Sequence, residues 1–362
     1  MGVLATRIDD NDSGTLPVLY LAPGMSAFPQ LRYMGNKYRL VPWICEVLRE
    51  YRFESAVDAF SGSGCVSYLF KTMGKRVVSN DFLNFCAAIT KATVENDDRR
   101  IGPGTLDALL KHSPSHKRFI ETTFKDIFFT HDDLRFLDLV SWNIRALEDP
   151  RHRAIAITAL VRSCLKRQPR GVFTVAGDPE HYKDGRRDLR LSLQEHFIEQ
   201  VAVYNECVFS NGRQHRSVKG DIFALDAGDV DLVYMDPPYV PRSDDNCYVK
   251  RYHFLEGLSC YWEGLRIMEE TRVKKIEKPY TPFSYRKSAV TAFDSMFRKF
   301  ANSTLVLSYS SNGFPDLDEL VALMQRYKKN VRVFEKEHRY HFGTHAGVER
   351  SVVQEYLVVG VT

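Results

Sequence analysis

Cysteine is scarce in this 362-residue sequence and poorly spaced for structural work. There are seven, an odd number, and no two form a CxxC pair. That excludes a zinc ribbon and argues against a disulfide framework, so reduced thiols of a cytoplasmic protein are expected. No apolar run reaches the roughly eighteen residues a membrane-spanning helix needs. The opening MGVLATRIDDNDSG carries no apolar secretory core. Low-complexity tracts and internal repeats are missing too. With 44% hydrophobic and 27% charged residues, the chain has the material for a large core, and global disorder is excluded.

Nor does either sign of charge dominate, since the net charge is only +4. The distribution is uneven, however. Residues 151–220 hold 13 Lys and Arg against 7 Asp and Glu, and residues 271–300 hold 8 against 2. Each segment therefore carries +6, leaving −8 for the rest. Two basic segments on an otherwise acidic chain point either to a localised anionic ligand or to ordinary solvated faces.

The apolar pattern alternates between strand and helix at both ends of the chain. A helix is expected from about Lys37. Strands follow at 55–60 and 75–81, with helices at 66–73 and 82–92 between and after them. Strands recur at 216–222, 231–235 and 304–309. Segments 331–335 and 354–361 suit a closing antiparallel pair joined by the polar link RYHFGTHAG. Between about 95 and 212 the pattern turns mostly helical, with amphipathic segments at 106–111, 116–123, 132–147 and 152–166. These features predict an α/β protein with a mixed seven-stranded sheet. Residues 1–94 and 213–362 would form one domain, and 95–212 a helical insert.

Three short constellations carry chemistry. In the first, Asp58-Ala59-Phe60-Ser61-Gly62-Ser63-Gly64, two glycines after a strand allow a sharp turn and close backbone approach to a ligand. It is not a GxGxxG fingerprint, because Ser67 stands where the last glycine would. Asp81 ends the next strand, where a carboxylate either accepts ribose hydroxyls or caps the following helix. In the second, Asp236-Pro237-Pro238-Tyr239, two prolines stiffen a strand exit. The aspartate and the Pro237 carbonyl are placed to accept from an exocyclic amine, and the Tyr239 ring offers a stacking face for a base. The alternative is a proline-rich strand end with a capping acid. The third, RYMGNKYRL, sets a glycine turn with Asn and Lys just before a helix, a pattern that suits an anion.

In this order, RYMGNKYRL, AFSGSG, SND, GDIF and DPPY, the chain resembles the Dam-like family of DNA adenine-N6 methyltransferases. The likeness covers about residues 31–92 and 213–312 and the final strands. It implies a Rossmann-like methyltransferase fold, S-adenosylmethionine as cofactor with no metal, and double-stranded DNA as partner. Phe60, Gly62 and Gly64 would underlie the cofactor, and Asp81 would hold its ribose. Asp221 and Ile222 would border its adenine, and Tyr33 and Lys37 would lie near its methionine end. Asp236, Pro237 and Tyr239 would bind a flipped adenine. Tyr248 and Tyr252, in YVKRY, would help hold the extruded base. The likeness does not reach the insert, but the +6 of residues 151–220 makes Arg167, Arg170, Arg186 and Arg187 candidates for phosphate contacts. A cognate restriction endonuclease and a bacterial or phage cytoplasm complete that expectation. Competing readings are a cytosine-N4 or RNA adenine methyltransferase, a nicotinamide-dependent oxidoreductase, and a catalytically silent DNA-binding regulator. The broken GxGxxG disfavours the oxidoreductase. The segment 251–303 matches nothing in the resemblance.

Overall fold

Eight strands make up the central sheet of the computed structural model, which describes residues 5–7, 24–113, 116–177, 185–241, 248–339 and 352–362. Along the chain come β1 (Ala5–Arg7), α1 (Val41–Leu48), β2 (Ser55–Asp58), α2 (Cys65–Thr72), β3 (Arg76–Asp81) and α3 (Asn84–Thr90). Six helices follow: α4 (Pro103–Leu110), α5 (Phe119–Thr123), α6 (His131–Ala146), α7 (Pro150–Arg167), α8 (Arg187–Arg190) and α9 (Leu193–Glu206). Then come β4 (Arg216–Lys219), β5 (Leu232–Met235), β6 (Val240–Pro241), α10 (Tyr248–Cys260) and α11 (Arg286–Lys299). The chain closes with β7 (Thr304–Ser310), β8 (Gly313–Phe314), α12 (Leu317–Gln325), β9 (Asn330–Arg339) and β10 (Val352–Val361).

The sheet runs β1-β9-β10-β7-β5-β2-β3-β4, and only β10 lies antiparallel to its neighbours. All seven expected strands are present. An eighth, β1, joins them: three residues from the stretch before the first motif pair in parallel with Val333–Glu335 on the sheet's edge. β4 ends at Lys219, so Asp221 falls in a turn instead of on the strand, with its Oδ1 accepting from the Phe223 amide at 2.9 Å. Beyond Arg339, the polar link before β10 lies outside the described residues.

The central strands β2, β5 and β7 are buried on both faces because both are covered. Ala56, Leu232, Tyr234 and Val306 point into one core, with α1, α2 and α3 packed over it. Val57, Val233, Met235, Leu305 and Leu307 point into the other, under α11 and α12. Burying each such side chain contributes about 1.5–3 kcal/mol. No strand falls between α3 and β4 among the described residues. Of the helices there, α4, α5, α6, α7 and α9 share the first core, with α7 packed against α3. α9 opens on a full capping box, in which Ser192 and Glu195 satisfy each other's backbone amides. Among the described residues no helix is long and apolar enough to cross a membrane, and six cysteines are free thiols.

Strand order reverses between β2 and β5. At such a point the loops leaving the two strands diverge to opposite sides and open a crevice at their C-terminal ends.

Candidate active site

That crevice is a solvent-open cleft of about 1150 Å³. Its walls include Tyr33, Lys37, Phe60, Gly62, Asp81, Asp221, Ile222, Asp236 and Tyr248, which the sequence scatters across more than two hundred positions. The turn after β2 needs its glycines. Gly62 and Gly64 have φ of +48° and +79°, where a side chain is strained. A Cβ on Gly62 would also lie 3.1 Å from the Tyr33 ring, and one on Gly64 3.1 Å from Thr90. Gly64 is not on the cleft wall but is the N-cap of α2.

Asp81 does more than end a strand. Its Oδ2 accepts from the Gly62 amide at 2.7 Å and its Oδ1 from the Leu83 amide at 2.8 Å. Burial raises its carboxyl, with those amides opposing. The Phe82 amide and the Cys86 thiol also donate to the carboxylate, so four donors of the chain hold it. Asn36 joins the Lys37 turn to the glycine turn: its Oδ1 accepts from the Tyr38 amide at 3.0 Å and from Ser63 Oγ at 2.9 Å.

Lys37 is 4% exposed, and its ammonium lies 3.2 Å from Asp236 Oδ1 and 3.5 Å from Glu355 Oε2. Burial pushes the Asp236 carboxyl up to about 6; Lys37 pulls against this and Glu355 adds to it. Neighbouring Asp58 is pushed up to about 7, mainly by burial, while Ser67 donates to its Oδ2 at 2.6 Å and opposes the rise. Three buried polar atoms of the cleft wall, Asp58 Oδ1, Ser61 Oγ and Asn80 Oδ1, have no hydrogen-bond partner among the described residues. Such atoms are costly unless something fills the cleft and meets them.

The segment after Asp236 is held from outside. β6 pairs with β8, Val240 opposite Phe314 and Pro241 opposite Gly313. Tyr239 packs edge-on against Tyr309 at 5.2 Å, and Tyr309 donates to the Pro315 carbonyl. A Cβ on Gly313 would lie 2.5 Å from Tyr309 Oη and 3.0 Å from the Tyr239 ring, so glycine lets the ribbon close there.

Tyr33 stacks on both Tyr248, at 5.5 Å, and Tyr252, at 5.0 Å. Tyr248 faces the cleft. Tyr252 does not: it is 1% exposed, and its hydroxyl accepts from the Met34 amide at 2.8 Å. Its expected place against an extruded base is therefore corrected to a core position beneath Tyr33. The four arginines also differ from one another. Arg167 pairs with the buried Asp133 at 3.0 Å and donates to the Leu189 carbonyl. Arg187 pairs with Glu199, and Arg186 donates to the Pro169 carbonyl at 3.3 Å. Arg170 is exposed. Arg167 is thus structural, correcting its assignment to phosphate.

One wall was not foreseen. Residues Lys278–Ser284 border the cleft, and Phe283 stacks on Phe223 at 5.8 Å and edge-on against Phe60 at 5.4 Å. At its rim Tyr280, 64% exposed, stacks on Tyr285 with Lys278 over the second ring. The two prolines of KPYTPFS were the available signal. Among the described residues no group of three His, Cys, Asp or Glu side chains is arranged to hold a metal ion.

Residues 33–313 match the family model described as D12 class N6 adenine-specific DNA methyltransferase. The chain is 29% identical over 327 residues to the type II methyltransferase M2.HphI of Haemophilus parahaemolyticus, covering 86% of this chain and 92% of that protein. It is 23% identical to the modification methylase LlaI of Lactococcus lactis, covering 91% of this chain and 54% of the longer relative. The type II methyltransferase M.NlaIII of Neisseria lactamica is 20% identical, over 83% of this chain and 89% of its own. With its cleft at the sheet's switch point and its match running from Tyr33 to Gly313, the chain belongs to the D12 class of N6 adenine-specific DNA methyltransferases.

Proposed function

We propose that this enzyme is the modification methyltransferase of a restriction–modification system, acting in a bacterial or phage cytoplasm on one adenine of a specific site in duplex DNA. The named relatives, two type II methyltransferases and a modification methylase, support the biological setting. The single observation that carries the chemistry is Asp236 at the end of β5, its carboxylate against Lys37 and open to the cleft that also holds Asp81.

S-adenosylmethionine, when bound, supplies a methyl group on a sulfonium centre. The cleft fits it. Asp81 would present its carboxylate to the ribose hydroxyls, Gly62 and Phe60 would floor the turn, and Asp221 and Ile222 would border the adenine. The unpartnered Asp58 Oδ1 suits the cationic methionine end, near Tyr33 and Lys37. The adenine amine of DNA is a poor nucleophile because its lone pair is conjugated with the ring. Asp236 and the Pro237 carbonyl would accept its two hydrogens and favour a pyramidal nitrogen, while Tyr239 and Tyr248 would hold the extruded base. On transfer the amine would take the methyl group from the sulfonium, which would leave as a neutral thioether, and the proton the amine loses would pass by way of Asp236 to solvent.

Residues 95–212 would read the DNA sequence, with Arg170, Arg186 and Arg187 near phosphates. The rim at Tyr280 and Tyr285 joins them as a second DNA-facing element. The test is incubation of the purified protein with plasmid and labelled S-adenosylmethionine, followed by mapping of modified bases. Methyl groups on adenine N6 at one recurring sequence are expected; methylation of cytosine, or of RNA alone, would overturn the reading.

A further inference from the structure

The family match ends at residue 313, yet one wall of the charge cluster around Asp236 comes from β10, beyond it. Glu355 is 0% exposed. Its register on β10 sets it opposite Ser310 of β7, just behind the loop that carries Tyr239. Its Oε2 lies 3.5 Å from the Lys37 ammonium, which also lies 3.2 Å from Asp236 Oδ1. One ammonium thus stands between two carboxylates, one sealed in the core and one open to the cleft.

A lysine paired only with Asp236 would neutralise it and occupy its acceptor positions. A buried carboxylate on the far side draws part of that attraction away. We propose that Glu355 is a positioning residue for methyl transfer: it shares Lys37 with Asp236, so that Asp236 meets the adenine amine as an incompletely compensated acceptor in a fixed orientation. This rests on the function proposed above. The same field includes Asp58 from β2, Cys65 from α2, Tyr234 from β5, Tyr239 from the loop and Tyr248 from α10. Among these groups, Glu355 pushes the Asp236 carboxyl upward, in the direction opposite to Lys37.

Transfer needs Asp236 ionised, so its rate falls as pH drops through the Asp236 pKa. Replacing Glu355 by neutral Gln removes a negative neighbour and stabilises the ionised form. In Glu355→Gln the acidic limb of the single-turnover rate should move to lower pH by about half a unit or more. The plateau rate should fall roughly tenfold, with the KM for DNA little changed. Glu355→Asp should restore part of both effects, and it serves as the test variant if the Gln form does not fold. Losses in Lys37→Met and Glu355→Gln should be far from additive in the double variant. A folded Glu355→Gln with wild-type rate and limb, or additive losses, would reduce Glu355 to a core residue and overturn the role. A wild-type protein that leaves adenine unmodified would instead overturn the function itself, and the role with it.

Discussion

The backbone amide of Gly62 donates to the Asp81 carboxylate at 2.7 Å, joining two motifs that lie 19 residues apart. The glycine turn and the acid at the end of β3 therefore form one unit before any ligand arrives. Asp81→Ala removes a proposed ribose acceptor and also frees the turn. Cofactor affinity measured by calorimetry should fall by about 1–3 kcal/mol. Unchanged affinity would leave Asp81 as a turn-fixing residue only.

Asp236→Ala should abolish transfer while cofactor binding survives, because the carboxylate acts chiefly in the transition state. Asn keeps the shape and one neutral acceptor, so partial activity is expected. Tyr239→Phe should be mild, whereas Tyr239→Ala should impair capture of the flipped base by roughly 1–3 kcal/mol. Single-turnover transfer on DNA with one mapped site measures all four variants. A wild-type rate in Asp236→Ala would reduce the turn to a strand exit.

Asp58 gives a pH dependence. Its carboxyl, near 7 in the fold, lies above its value in an unfolded chain. The native state therefore holds the extra proton between about pH 4 and 7, and Asp58 lowers stability as pH rises through that window. A cation bound against it favours the ionised form. Binding of S-adenosylmethionine near pH 7 should then release up to about half a proton, seen as a dependence of the binding enthalpy on buffer ionisation. Asp58→Asn should remove that release. Asp236, near 6, contributes at lower pH. An identical enthalpy in all buffers would place the cation elsewhere.

DNA affinity should fall steeply with salt. Lys278 and Lys287, exposed beside the Tyr280–Tyr285 pair, are expected contributors. Replacing both with Ala should reduce the slope of log affinity against log salt by roughly 1–2. Arg167→Ala should leave that slope in place and lower stability by about 3 kcal/mol, since it strips the partner from an Asp133 side chain only 4% exposed. A reduced slope in Arg167→Ala would return that residue to the DNA surface.

Local signals made much of this visible in the sequence. The strands 231–235 and 304–309 are apolar because the sheet is covered on both faces, and the turns after them show as glycine, proline and acid. Asn36 and Asp58 lay inside the quoted motifs, but Glu355 was harder to find. A single Glu carries no periodicity, and Glu355 reaches Lys37 only through the pairing of β10 with β7, a register set over long range. Tyr252 and Arg167 show the converse. Their types suit a nucleic-acid surface, but burial and the partners Met34 and Asp133 decide otherwise. α9 was legible in principle, since Ser192 and Glu195 spell a capping box three residues apart.

The packing of α7 on α3 bears on how such enzymes change what they read. α3 begins three residues after Asp81, so the helices proposed to face DNA rest on an element that adjoins the cleft proposed to hold the cofactor. They are not a cassette that recombination lifts out cleanly. New sequence preference would have to arise by substitution on the outer faces of α4–α9, or by exchange of a block that carries α3 along and reseats the cofactor with it.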